Sequence, residues 1–129
     1  MLSPAADAVR TIQRDELERE LAVNKGLRLV MTLPMWEFEE MHIPASLHFD
    51  TSEAMLGALK PNDEVVVYCT NPECLASQRA YGLLVQHGYT NVRRYAGGLE
   101  DWSEAGLPLE GRQGQTGMRR PTFTRPSIR

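Results

Sequence analysis

The chain has 129 residues, 42% hydrophobic and 24% charged, with a formal net charge of -3, which describes one globular domain and excludes a two-domain enzyme. A chain of this size buries roughly two thirds of the surface its unfolded form exposes, so its core needs neither a disulfide nor a structural metal. The two cysteines, Cys69 and Cys74, and the three histidines, His42, His48 and His87, have no metal-ligand spacing, so no zinc site is expected. No apolar run approaches the roughly 18 residues of a membrane span. The opening MLSPAADAVR has neither a basic start nor an apolar stretch, which predicts a cytoplasmic protein with reduced thiols and no membrane association.

Charge divides the chain. Residues 1–111 hold all 17 acidic and 9 of the 14 basic side chains, a net charge of -8. Residues 112–129 carry Arg112, Arg119, Arg120, Arg125 and Arg129 and no acid, a net charge of +5. That basic tail has two prolines and no apolar periodicity, so a flexible segment is expected there, as over 1–10, with the folded domain spanning 11–111. Five dispersed arginines with one aromatic, Phe123, read as a solvated tail, and nucleic acid is not an expected partner.

Helix and strand signals alternate along 11–110, the pattern of βα units on a mostly parallel sheet of about five strands with helices on both faces. Asp15 to Val23 sets Leu17 and Leu21 on one helical face, and Asn24-Lys25-Gly26 ends it. Leu27 to Met31 reads as a buried strand. Pro34 opens a brief helical turn through Trp36, Phe38 and Met41, and His42-Ile43-Pro44 breaks it before a strand at Ser46 to Phe49. A helix from Ser52 to Leu59 and a turn at Pro61-Asn62-Asp63 follow. Glu64 to Tyr68 is a continuous β-branched run, the signature of a central strand covered on both faces. Beyond the loop Cys69 to Leu75, a helix runs from Ala76 to His87 with Gly88 at its C′ position. Asn91 to Tyr95 is the last strand, Gly97-Gly98 a tight turn, and Leu99 to Ala105 a final helix closed by Gly106.

The informative arrangement is VVVYC, then TNPECL, then ASQRAYGLLVQHG. It sets Cys69 at the carboxyl end of a central strand, where open α/β sheets bind ligands. Loop amides and the first turn of the next helix would converge on the sulfur and favour its thiolate, making Cys69 a candidate for covalent catalysis. A buried, inert strand-end cysteine is an equally open reading of the position alone.

Three segments resemble the rhodanese family. LRLVMTLPMWEFEEMHIPAS is similar to its first motif ending in His-Ile-Pro, VVVYC with its loop and helix to its active-site segment, and GYTNVRRYAGGLEDWSEAGLPLEG to its closing motif. The resemblance spans 11–111 and implies a rhodanese-like fold and sulfurtransferase activity. Cys69 would accept a sulfane sulfur from a small donor anion or persulfide, such as thiosulfate. It would pass that sulfur, as a persulfide, to cyanide or to a thiol, either a small molecule or a thioredoxin-like protein. No metal or organic cofactor is implied. The backbone of Thr70, Asn71, Pro72, Glu73, Cys74, Leu75 and Ala76 is the expected anion cradle, with Arg79, one turn into the helix, as a further substrate contact.

The chain departs from the family pattern in three places. The loop is about two residues longer, Glu73 sits in it where a basic or small residue would welcome a dianion, and Thr32-Leu33-Pro34 replaces the Asp and Arg that many relatives carry. The phosphatase and arsenate-reductase relatives need an arginine where this chain has Leu75, which argues against phosphoryl transfer. Cys74 reads as a cysteine packed beneath the loop or as a resolving thiol for Cys69. His42 reads as a backbone tie between two segments, Trp102 as core, and Trp36 as the aromatic nearest an exposed edge. The alternative to an enzyme is a non-catalytic or redox- and sulfide-sensing binding module.

Overall fold

Every residue of Val65–Tyr68 (β3) is fully buried, and the reason lies in what each face of this strand meets. Alternate side chains of a strand point to opposite faces. Val66 and Tyr68 pack in one cluster with Leu29 and Met31, while Val65 and Val67 pack in another with Val30 and Val92. A strand covered on both sides must be apolar at every position, and the uninterrupted run follows.

The structure is a computed structural model describing residues 9–112. Four strands, Arg28–Met31 (β1), Ser46–His48 (β2), β3 and Val92–Tyr95 (β4), form one parallel sheet in the order β2-β1-β3-β4. The helices are Arg14–Val23 (α1), Met35–Glu40 (α2), Ser52–Ala58 (α3), Leu75–Gln86 (α4) and Gly98–Glu104 (α5). Leu17 of α1 and Leu99 and Trp102 of α5 cover the first face; Met55 of α3 and Tyr81 and Leu84 of α4 cover the second. The expected α/β class, with helices on both faces, is what forms.

The sheet has four strands rather than about five. The segment before α1 adds only a one-residue bridge, Thr11 beside Arg94. Ile12 N–H donates to Arg94 C=O at 3.1 Å and Arg94 N–H to Arg10 C=O at 2.8 Å. The ladder stops there because Gln13 is already the N-cap of α1. The expected flexible ends, 1–10 and 112–129, lie outside the described residues except at 9, 10 and 112. Arg10 is tied down, its N–H donating to Tyr81 Oη at 3.0 Å, and Arg112 pairs with Glu40.

The His-Ile-Pro segment fastens two distant parts of the chain. His42 and Glu110 exchange backbone hydrogen bonds of 2.9 and 2.8 Å, and the His42 ring stacks on Phe38 with centroids 3.9 Å apart. Ile43 N–H donates to the hydroxyl of Tyr68 at 3.0 Å, and Ser46 Oγ lies 2.6 Å from the same oxygen. This network gives the buried Tyr68 phenol its partners, while burial pushes its pKa upward. His42 is thus the backbone tie expected of it, and Trp36 is the exposed aromatic.

With β1 and β3 adjacent, the chain winds outward in opposite directions from them, and the crevice at their carboxyl ends is where such sheets place ligands. Cys69 leaves β3 at that end. Stability rests on the faces of these strands: Leu84→Ala, which empties a fully buried position, is expected to cost about 2–5 kcal/mol in urea unfolding without altering the fold.

Candidate active site

The sequence Asn71-Pro72-Glu73-Cys74 has the chemistry of a tight turn, with Asn first and Pro second. Cys74 N–H donates to Asn71 C=O at 3.1 Å, and Glu73 N–H to Asn71 Oδ1 at 3.1 Å. The turn folds the chain back after Cys69 and delivers Cys74 to the N-cap of α4. From the other side α5 docks on the same loop. Leu99 N–H donates to Cys69 C=O and Glu100 N–H to Thr70 C=O, both at 2.9 Å. Gly98, at φ +64°, allows this approach, since a Cβ there would lie 2.7 Å from the Thr70 carbonyl carbon and strike the Cys69 oxygen.

Cys69 and Cys74 are joined in a disulfide, their Cα atoms 6.4 Å apart. That corrects the expectation of two reduced thiols. The physical cause is the turn at Asn71, which brings the two Cα atoms inside the roughly 7 Å that a bridge can span. It also corrects the picture of an accessible thiolate: Cys69 is only 1% exposed and Cys74 is half-buried. The sulfur nearer the surface is the second one.

Two residues that sequence reasoning missed complete the site. Ser77, on the buried side of α4, has its Oγ 3.3 Å from Cys69 Sγ. That oxygen accepts from Arg94 Nε at 2.8 Å, which leaves the serine proton free to point at the sulfur. Arg94 is 7% exposed, and its remaining hydrogen bonds run to Pro72 C=O at 2.9 Å and Cys74 C=O at 3.4 Å. All three acceptors are neutral, and among the described residues Arg94 makes no ion pair. Burial holds its pKa below the ordinary arginine value, yet arginine remains charged in proteins. A cation thus sits beneath the cysteine loop with no carboxylate to neutralise it. Its field favours an anion on Cys69 and opposes the effect of burial.

The signal for Arg94 was the Arg93-Arg94 pair itself. Strand alternation turns the two arginines to opposite faces. Arg93 meets Glu20 of α1 through contacts of 2.9 and 3.1 Å, so Arg94 must enter the face where α4 packs.

The predicted cradle is reduced. Pro72 has no N–H, and the amides of Glu73 and Cys74 are held by Asn71. Among the described residues the amides of Thr70, Asn71, Leu75 and Ala76 have no hydrogen-bond acceptor, the last two in the first turn of α4, where no intrahelical acceptor exists. The Glu73 and Leu75 side chains are exposed. Arg79 does not join this group. It lies two residues beyond Ser77, roughly 200° around the helix, and lines a separate cleft of about 280 Å³ with Thr32, Asp50, Met55 and Ala76. Neither Cys69 nor residues 70–75 line that cleft.

A doubly wound parallel sheet with a cysteine and its loop at the carboxyl end of a central strand defines the class: an α/β domain with a cysteine loop at its ligand-binding edge. The sequence profile described as "Rhodanese-like domain" matches residues 13–105, and the chain belongs to that family. Three of the solved structures that are similar to it illustrate the likeness. One is a Bacillus halodurans protein, with TM-score 0.75 and 21% identity over 84% of this chain and 81% of that one. Another is a rhodanese-related protein of Thermoplasma volcanium, with TM-score 0.65 and 23% identity over 78% and 97%. The third is a human single-domain sulfurtransferase, with TM-score 0.64 and 27% identity over 75% and 97%. Among the described residues no helix is long and apolar enough to cross a membrane.

Two predictions follow from the loop. Gly98→Ala puts a Cβ against the Cys69 and Thr70 carbonyls at a left-handed φ and is expected to cost about 1–3 kcal/mol or more in thermal unfolding. Arg94→Met removes the buried cation. The rate of iodoacetamide alkylation of the reduced chain at Cys69 should then rise only at higher pH, its midpoint moving up by about one pH unit or more.

Proposed function

We propose that this domain is a sulfurtransferase in which Cys69 carries sulfane sulfur as a persulfide. The observation that carries the reading is the Cys69 Sγ, Ser77 Oγ, Arg94 chain at the end of β3, which sets a hydroxyl 3.3 Å from one sulfur and, behind it, a positive charge that makes no ion pair among the described residues. Membership of the rhodanese-like family and the likeness to a human single-domain sulfurtransferase support it.

The reduced Cys69 thiolate attacks the outer sulfur of a sulfane donor. The donor's S–S bond breaks and its remainder leaves, as sulfite from thiosulfate or as a thiolate from a small persulfide. The new Cys69–S–S⁻ is an anion, suited to the free amides of Thr70, Asn71, Leu75 and Ala76. An acceptor thiolate, of a small thiol or a thioredoxin-like protein, then takes the outer sulfur and restores the Cys69 thiolate; cyanide would take it as thiocyanate. In the disulfide form neither cysteine is nucleophilic, so the cycle begins only after reduction, which suits a cytoplasmic protein. Neither metal nor organic cofactor enters the steps.

A second reading is favoured by the Cys69–Cys74 bond: a redox- or sulfide-sensing binding module whose two cysteines open and close without turnover.

Intact mass spectrometry separates the two. Reduced Cys74→Ser, in which Cys69 is the sole cysteine, incubated with thiosulfate or with glutathione persulfide, should form a species heavier by one sulfur atom. Cys69→Ser, shown to be folded by circular dichroism, should form none. Absence of any sulfur adduct with either donor would overturn the enzyme and leave the sensor.

A further inference from the structure

The bond between Cys69 and Cys74 closes across the very atom that would carry sulfur, and that arrangement has a chemical consequence. We infer that Cys74 discharges the Cys69 persulfide from within: its thiolate attacks the inner sulfur, Cys69 Sγ, and hydrosulfide leaves. The domain is then a sulfide-releasing enzyme that uses a dithiol as reductant. This rests on the sulfurtransferase reading above.

Atoms and electrons balance. The Cys74 thiol passes its proton to the outer sulfur of Cys69–S–S⁻, and the resulting Cys69–S–SH and Cys74–S⁻ give Cys69–S–S–Cys74 and HS⁻. The sulfane sulfur gains the two electrons that the cysteines lose on forming their bond. An external dithiol restores the protein: one of its thiolates attacks the disulfide, and its second thiol resolves the mixed disulfide, leaving the reductant as a disulfide.

Four observations support the step. The Asn71 turn holds the two Cα atoms 6.4 Å apart, so the internal thiol competes with external acceptors at the high effective concentration of a group fixed in place. Cys74 stands at the N-cap of the 12-residue α4, where a helix start favours the thiolate that must attack. Cys69 is buried and Cys74 half-exposed, so an incoming thiolate reaches the Cys74 sulfur first. Cys69 is then the leaving thiolate, the one Ser77 Oγ and the Arg94 charge stabilise, and a stabilised thiolate leaves faster. The disulfide is thus opened from its exposed end and expels the sulfur that must be ionised for the next cycle.

The test is single-turnover loading of the full chain. Reduced, desalted protein is treated with thiosulfate and desalted again, and free sulfide and intact mass are followed with time. The native sequence should release one sulfide for each persulfide formed and end two hydrogens lighter than the reduced chain. Cys74→Ser and Cys74→Ala should hold the added sulfur at least about tenfold longer, releasing it only when an external thiol is supplied. If the native chain keeps its persulfide as long as both variants do, the internal discharge is overturned while the sulfurtransferase stands. If neither the native chain nor the variants gain sulfur, the sulfurtransferase itself fails and the discharge with it.

Discussion

A guanidinium buried without a carboxylate is the constraint around which this domain is organised. Ordinarily such a cation is paired, because leaving it alone in a low-dielectric interior costs more than the pair returns. Here, among the described residues, the Arg94 guanidinium is met only by a hydroxyl and two carbonyls. Those dipoles solvate the charge without cancelling it. The field therefore extends to the sulfur beyond Ser77. The same three acceptors belong to the loop and helix that hold Cys69, so the group that sets the charge beside the cysteine also holds its loop in place.

The surrounding fold supplies rigidity at each end of that loop. β3 enters it from a fully apolar interior, α4 leaves it through the Cys74 cap, and α5 docks on the Cys69 and Thr70 carbonyls through the space that Gly98 leaves open. Tyr95 adds a further tether: its hydroxyl donates to Asp101 Oδ2 at 2.6 Å, and Asp101 also accepts from Arg14 at 2.8 Å. Burial and that carboxylate push the Tyr95 pKa upward, so the phenol keeps its proton and its hydrogen bond. Between two anchored ends, the turn at Asn71 determines where Cys74 arrives.

Much of the architecture was legible because it follows from local rules. The β-branched run of β3 could only be a doubly covered strand, Gly88 and Gly106 have the positive φ expected of residues that close helices, and Asn-Pro at 71–72 announces the turn. The count of about five strands exceeded the four segments that carried a strand signal, and those four are the ones that pair in the sheet. The site was harder to read. Cys69 stood out by position, but Ser77 and Arg94 act through tertiary contacts across 8 and 25 residues of chain; nothing local separates Ser77 from an ordinary helix serine, and the Arg93-Arg94 pair shows only that one of the two faces inward, not that it meets the cysteine loop. Arg79 misled for the opposite reason: proximity in sequence suggested a ligand contact, whereas the helical turn carries it to another cleft. The bond between Cys69 and Cys74 was one of two open readings, that of a resolving thiol; composition pointed to a reducing compartment, and only the turn at Asn71 shows that the two sulfurs come within reach.

The claim on which the chemistry stands is that Cys69, once reduced, is an anion near neutral pH despite its burial. Titration of the thiolate absorbance of reduced Cys74→Ala, in which Cys69 is the sole cysteine, measures this directly. The account predicts a midpoint clearly below the unperturbed thiol value of about 8.5. A midpoint at or above that value would mean that burial outweighs the Arg94 charge, contradicting the account.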